Sequence, residues 1–258
     1  MSQANEPRGA AVGAPRALIL LARLGLRKAL RGRLVWGCMA LLALPLAVLI
    51  PLQVTGNSLT GEDLKTFFRV WLTTLLPLSA VLMAYSGVSE EVESQTITYI
   101  HSRPLPRWAL PAGKLLTAWL LVAPVACVLV GGGAVFTQVT PLDGGFVAGL
   151  LLASATYCAL ATTAGAIVPK HAVLASLGLF ALLDMGFANV PGFTQTLAPS
   201  FHVENLTALS PPPGGLSRII TSPTTSASSS MVALVAFTTL FSLVAVLRTS
   251  YWEHRRLS

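Results

Sequence analysis

Only ten of the 258 residues are Asp or Glu, and three of those stand together as Glu90, Glu91 and Glu93. They open the stretch SEEVESQTITYIHSRPLPRWALPAGK, from Ser89 to Lys114. Paired carboxylates of this kind serve metal-assisted hydrolysis as ligand and proton acceptor. They also suit a second role, because acids at a helix start lie in the positive end of its dipole and present charge to another protein. Asp184 is a different case, the sole acid inside a long apolar run. An ionisable group in hydrocarbon is a functional candidate by default, so Asp184 is a candidate for substrate contact or gating. The alternatives are a hydrogen bond within the bundle, or water shared with Asn189. Other reactive residue types are scattered. His101, His171, His202 and His254 fall in or beside connections, and Cys38, Cys127 and Cys158 stand singly, without the spacing of a metal or redox site. Gly113 and Lys114 are followed by Leu115, where a phosphate-binding loop requires Ser or Thr. The expectation is therefore no catalytic residue and no metal ligand in this chain.

The elements that must position these residues follow from where charge is missing. Hydrophobic residues make up 53% of the chain and charged residues 10%. Soluble domains carry far more charge, roughly 25%. Five runs carry none: 34–61, 70–89, 115–142, 144–169 and 219–247. A sixth, 171–203, is interrupted by Asp184 alone. Each holds the roughly 20 helical residues that cross about 30 Å of hydrocarbon. An all-α membrane protein with six spans follows, at roughly 34–54, 67–88, 110–134, 146–168, 172–190 and 229–248. Residues 1–14, rich in Ala, Gly and Pro, are expected to be disordered, and 15–258 form one transmembrane domain.

Fourteen of the seventeen Lys and Arg residues lie on one side if the N-terminus is cytoplasmic, leaving Lys65, Arg69 and Arg218 outside. Basic residues near span ends stay in the cytoplasm, so both termini are predicted cytoplasmic. The net charge of +7 then reads as topology rather than as a nucleic-acid surface. Pro15 to Leu30 mixes leucines with Arg23, Arg27 and Lys28, the pattern of an interfacial amphipathic helix with snorkelling bases. Between spans 2 and 3, Val92, Thr96 and Ile100 share one helix face, so that face rests on protein while the acids meet water or a partner. Pro104 and Pro106 end that helix. Arg103, Arg107 and Trp108 mark the water interface, and Lys114 snorkels back to it.

Pro45, Pro77 and Pro124 are expected to kink spans 1 to 3. Gly145, Gly149, Ala153, Ala161 and Gly165 give span 4 a small-residue row for close approach of another backbone. The external connection, about 191–230, reads as irregular, with its part near Phe201 to Leu209 dipping into the interface. Asn205 and Thr207 form a glycosylation sequon that matters only in a secretory lumen.

The connection 89–114 resembles the hallmark loop of ABC-2 type permeases, the membrane subunits of ATP-driven exporters. Their pattern runs Glu-x-Glu, Thr, Arg-Pro-x-x-Arg and Gly-Lys; the matching residues are Glu91, Glu93, Thr96, Arg103, Pro104, Arg107, Gly113 and Lys114. Ser94 and Gln95 replace the usual Arg-Gly or Gln-Gly, and Pro106 stands where Ser is common. The resemblance implies a cytoplasmic coupling helix carrying Glu90, Glu91, Glu93, Thr96 and Ile100, with Arg103 and Arg107 beside it, docked on a separate ATP-binding subunit. It implies ATP and Mg on that partner and no cofactor here, a second permease copy as homo- or heterodimer, and the inner membrane of a bacterium. Membrane lipids are the remaining partner.

One rival class is the CAAX-processing intramembrane metalloprotease, whose site also begins with two adjacent glutamates. That family requires Arg four residues after the second Glu, and Gln95 stands there. A membrane anchor or assembly subunit that transports nothing is the other alternative.

Overall fold

The computed structural model describes residues 14–54, 60–83, 108–137, 144–188, 190, 192–209 and 225–252. The N-terminal 1–13 and the whole 84–107 segment, with Glu90, Glu91, Glu93, Thr96, Ile100, Arg103 and Arg107, lie outside the described residues. Among the described residues every regular element is helical. Helix α1 is Ala14–Arg31 and α2 is Arg33–Val54, separated by a bend at Gly32. Next come α3, Gly61–Met83; α4, Ala109–Thr137; α5, Gly144–Ile167; and α6, Pro169–Phe187. A 3-10 turn, Phe193–Leu197, leads to the short α7, Pro199–Leu206, and α8, Ala227–Trp252, closes the described chain. Six helices are long and apolar enough to cross a membrane: α2, α3, α4, α5, α6 and α8.

Helix α3 starts at Gly61 rather than near 67. A capping box fixes that start. Asp63 N–H donates to the Thr60 hydroxyl, and Thr60 N–H donates back to the Asp63 carboxylate. Polar residues in the first turns tolerate this because Glu62 and Asp63 are exposed and Arg69 is engaged elsewhere. Pro77 cannot donate to the Thr73 carbonyl. A π turn, Trp71–Leu75, immediately precedes it, with Leu76 N–H reaching back to Trp71 O; such turns re-route the helical ladder by one residue. A similar π turn, Cys127–Gly131, follows Pro124 in α4. The third, Ala181–Phe187 in α6, contains no proline; it contains Asp184.

The six spans do not share burial equally. α5 is the centre, with 61% of its span buried, while α8 buries 17% and presents most of its surface outward. Without water to drive apolar helices together, close contact and hydrogen bonds must do so. Thr156 Oγ1 donates to Leu234 O at 3.3 Å, Thr163 Oγ1 to Phe241 O at 2.6 Å, and Trp119 Nε1 to Leu151 O at 3.1 Å, tying α8 and α4 to α5. Trp71, Tyr157, Phe68 and Phe146 are the largest fully buried side chains. The Phe68 ring fits because Gly133 faces it, where a Cβ would sit 3.2 Å from Phe68 Cζ.

α1 lies along the start of α4 in a parallel pairing. A Cβ on Gly113 would stand 3.0 Å from Leu21 Cβ, and one on Gly25 would stand 2.6 Å from Thr117 Oγ1. Leu21 and Gly25 are one turn apart on α1, as are Gly113 and Thr117 on α4, so two bulky-on-small contacts repeat at helical spacing. Arg23, Arg27 and Lys28 are exposed.

Candidate functional site

The end of the bundle farthest from α1 is closed by α7, part of the connection expected to be irregular. The sequence Pro199-Ser200-Phe201-His202-Val203 is helical, because Pro at the first position is pre-set for the helix and lacks an N–H that would go unpaired. Ala198 stands at the N-cap, and alanine has no side chain able to cap. The missing acceptor comes from α6, whose Asp184 Oδ1 accepts Ser200 N–H at 2.9 Å. Asp184 is 6% exposed. Its carboxylate is thus held inside the protein at the positive end of a helix dipole. The far end of α7 is a Schellman-type stop. Leu209 N–H donates to Glu204 O, and Ala208 is left-handed at φ 54°.

Two further latches fix α7. Glu204 Oε1 accepts from Arg69 Nε of α3 at 2.7 Å. Asn205 Nδ2 lies 2.8 Å from Thr225 O, 2.7 Å from Thr225 Oγ1 and 2.9 Å from Ser230 Oγ, and His202 Nδ1 is 3.3 Å from the same Ser230 hydroxyl. His202 Nε2 is 2.9 Å from Thr196 O. Against α5 the fit depends on Gly149, where a Cβ would meet Thr207 Cγ2 at 3.0 Å and Leu206 Cβ at 3.3 Å. The sequon is thus consumed by structure, since Asn205 is a latch and Thr207 is buried.

Burial sets the charge behaviour of α7, because it disfavours the charged form of each group. Desolvation pushes the Glu204 carboxyl above its ordinary value, with Arg69 acting in the opposite direction. Desolvation lowers the His202 imidazole below its ordinary value, opposed by the Thr196 carbonyl.

Between α3, α6 and α7 lies a cavity of about 170 Å³ whose polar lining includes Arg69, Thr73, Asp184, Ser200 and Glu204. The buried Tyr157 hydroxyl is a hydrogen-bonding neighbour of the Asp184 carboxylate, in a geometry short of a full hydrogen bond to Oδ2. A larger groove, about 430 Å³, runs between α1, α4, α5 and α8 and is apolar, lined by residues such as Leu18, Leu115, Trp119, Ala159 and Val246.

Of the residues singled out in the sequence, Asp184 is in this site. The interface residues Arg23, Arg27, Lys28, Trp108 and Lys114 are at the opposite end of the bundle, on α1 and at the start of α4. Arg69 and Glu204 complete the site and carried no such expectation. The available signal was Glu204 at the edge of the last interrupted apolar run, five residues after a helix-starting proline.

A bundle of six apolar spans with a buried ionisable site at one end is a polytopic membrane protein. The family model for ABC-2 family transporter proteins matches residues 19–251, and the chain belongs to that family. No curated protein matches it.

Proposed function

We propose that this chain is the transmembrane permease of an ATP-driven exporter, working beside a second permease copy and powered by a separate ATP-binding subunit that carries ATP and Mg. The observation that carries the reading is the family match across 19–251. The acidic segment between α3 and α4, with Glu91, Glu93 and Thr96 before Arg103 and Arg107, supports it further. In this reading both termini and that segment face the cytoplasm of a bacterium, because the basic residues gather there. The ATP-binding subunits close on ATP, push the 90–100 segment, and rock the spans as rigid bodies. The end closed by α7 then faces outward. Cargo leaves when α7 separates from α3 and α6, which gives Asp184 a gating role as one of the latches.

Glu91→Lys with Glu93→Lys reverses the charge offered to the partner. Co-purification of the ATP-binding subunit and stimulation of its ATPase should be lost while membrane insertion is unchanged. Retention of both in the double variant would contradict the coupling.

A further inference from the structure

The apolar groove beside α1 takes no part in the latches. Its walls are α4, from Pro111 to Trp119, and α8, from Thr238 to Val246, and small residues of α5 such as Ala155 and Ala159 form its floor. α5 bonds to α4 through Trp119 and to α8 through Thr163, and between those two contacts its side chains are too small to fill the gap. From Pro111 to Trp119 the groove runs about 12 Å, at about 1.5 Å per helical residue. Half of a bilayer's hydrocarbon is about 15 Å deep. The groove begins one turn beyond Trp108, where α4 starts, and runs towards the middle of the span.

The lining offers no donor to a polar guest. The hydroxyls of Thr162, Thr238 and Ser242 donate to Cys158 O, Leu234 O and Thr238 O of their own helices, and Trp119 Nε1 donates to Leu151 O. Whatever lies there must be apolar along its length, since a polar group left unpaired in such a place is costly. The space of about 430 Å³ is roughly three times the about 150 Å³ cavity that takes one benzene ring, so roughly a dozen or more carbons fit. A helix from a second copy, about 10–12 Å across, would exhaust that volume within roughly one turn. Charge defines the other end of the occupant. Among the described residues the acids, Glu62, Asp63, Asp184 and Glu204, belong to the α7 half of the bundle, whereas Arg23, Arg27, Lys28, Arg31 and Arg33 are exposed at the groove's end. Arg248 is exposed two residues beyond Val246 of the lining.

We propose that this groove holds one acyl chain of an anionic phospholipid, whose headgroup meets the bases of α1 and Arg248. Basic side chains at the end of a bundle recruit anionic headgroups in this way. Leu18 brings α1 to the same groove, so the bound chain joins α1 to α8 as well as to α4. The claim concerns the leaflet on the α1 side, and it rests neither on ATP coupling nor on which side is cytoplasmic.

The test follows the thermal unfolding midpoint of the purified full chain in a neutral detergent during titration with dioleoylphosphatidylglycerol, dioleoylphosphatidylcholine or dihexanoylphosphatidylglycerol. The long-chain anionic lipid should raise the midpoint saturably. The zwitterionic and the short-chain lipid should each bind about fivefold or more weakly. Ala155→Leu fills the groove and leaves the bases, so it should weaken binding of dioleoylphosphatidylglycerol about tenfold or more. Arg248→Gln lies at an exposed position and serves if Ala155→Leu does not fold; it should weaken the anionic lipid about fivefold and leave the zwitterionic one unchanged. A midpoint that rises without saturating marks boundary lipid alone and would overturn the proposal. So would an equal response to phosphatidylcholine or to the short-chain lipid, or undiminished binding in either folded variant.

Discussion

The two ends of the bundle are held by different physics. At one end α7 is tied down by charge and hydrogen bonds: Asp184 to Ser200 N–H, Arg69 to Glu204, Asn205 to Thr225 and Ser230. At the other end α1 rests on α4 mainly by steric fit, Leu21 over Gly113 and Gly25 over Thr117, with one long hydrogen bond from Thr117 Oγ1 to Ala22 O at 3.5 Å. Steric fit of this kind is short-ranged and gives one rigid unit. Polar latches are individually modest and can be exchanged for water or a ligand. In the proposed mechanism the stiff end receives force and the latched end opens.

The contrast is tested most severely by cutting a latch on one side only. Arg69→Met strands Glu204, which is mostly buried. The loss should be about 2–3 kcal/mol, set below the full value for a buried pair because Arg69 is partly exposed. Adding Glu204→Met should recover most of that loss, and thermal unfolding of the single and double variants in detergent reads both. At the stiff end, Gly25→Ala places a Cβ against the Thr117 side chain. Overpacking of that kind should cost about 1–3 kcal/mol, towards the lower end because one side chain has to move. Thr117→Ala in the same molecule removes the clashing atoms and should relieve it.

The smallest expected difference between the two ends is in their response to pH. Burial holds His202 below its ordinary value of 6.5. As pH falls through that value the unfolded chain gains a proton that the folded one refuses, and stability declines. Glu204 acts with opposite sign, because its folded value is raised above the ordinary 4.5. The native state then holds more protons above that value, so acidification through the window favours folding. Subtracting the unfolding profile of His202→Gln from that of the wild type should isolate the loss of stability on the acid side of 6.5. Variants at the α1–α4 seam should leave the pH profile unchanged.

Much of this architecture is legible in residue order. Six spans are present, as the length of the apolar runs requires, and no soluble fold accommodates such runs. Asp184 is legible as an anomaly, because an acid among Phe180, Leu182, Leu183 and Phe187 has few structural uses. Its partner is not, since Ser200 N–H is a backbone group that any sequence supplies. Nor is the Arg69–Glu204 pair, which joins positions 135 apart and has no local periodicity. α7 escapes a reading by pattern because its eight residues are too few to show a helical period and sit beside a Pro, Ser and Thr tract. Gly113 illustrates the converse: read as half of a Gly-Lys pair, it also makes room for Leu21.

Acids stand at both ends of α3, Glu62 and Asp63 where it begins and Glu90, Glu91 and Glu93 beyond its described end. In the proposed mechanism force passes through the second set alone. A photocrosslinking amino acid at position 93 or at position 62, in membranes containing the ATP-binding subunit, tests that assignment directly. An adduct with the ATP-binding subunit from position 93 and none from position 62 is the predicted result. An adduct from position 62, or none from position 93, would contradict both the orientation and the coupling.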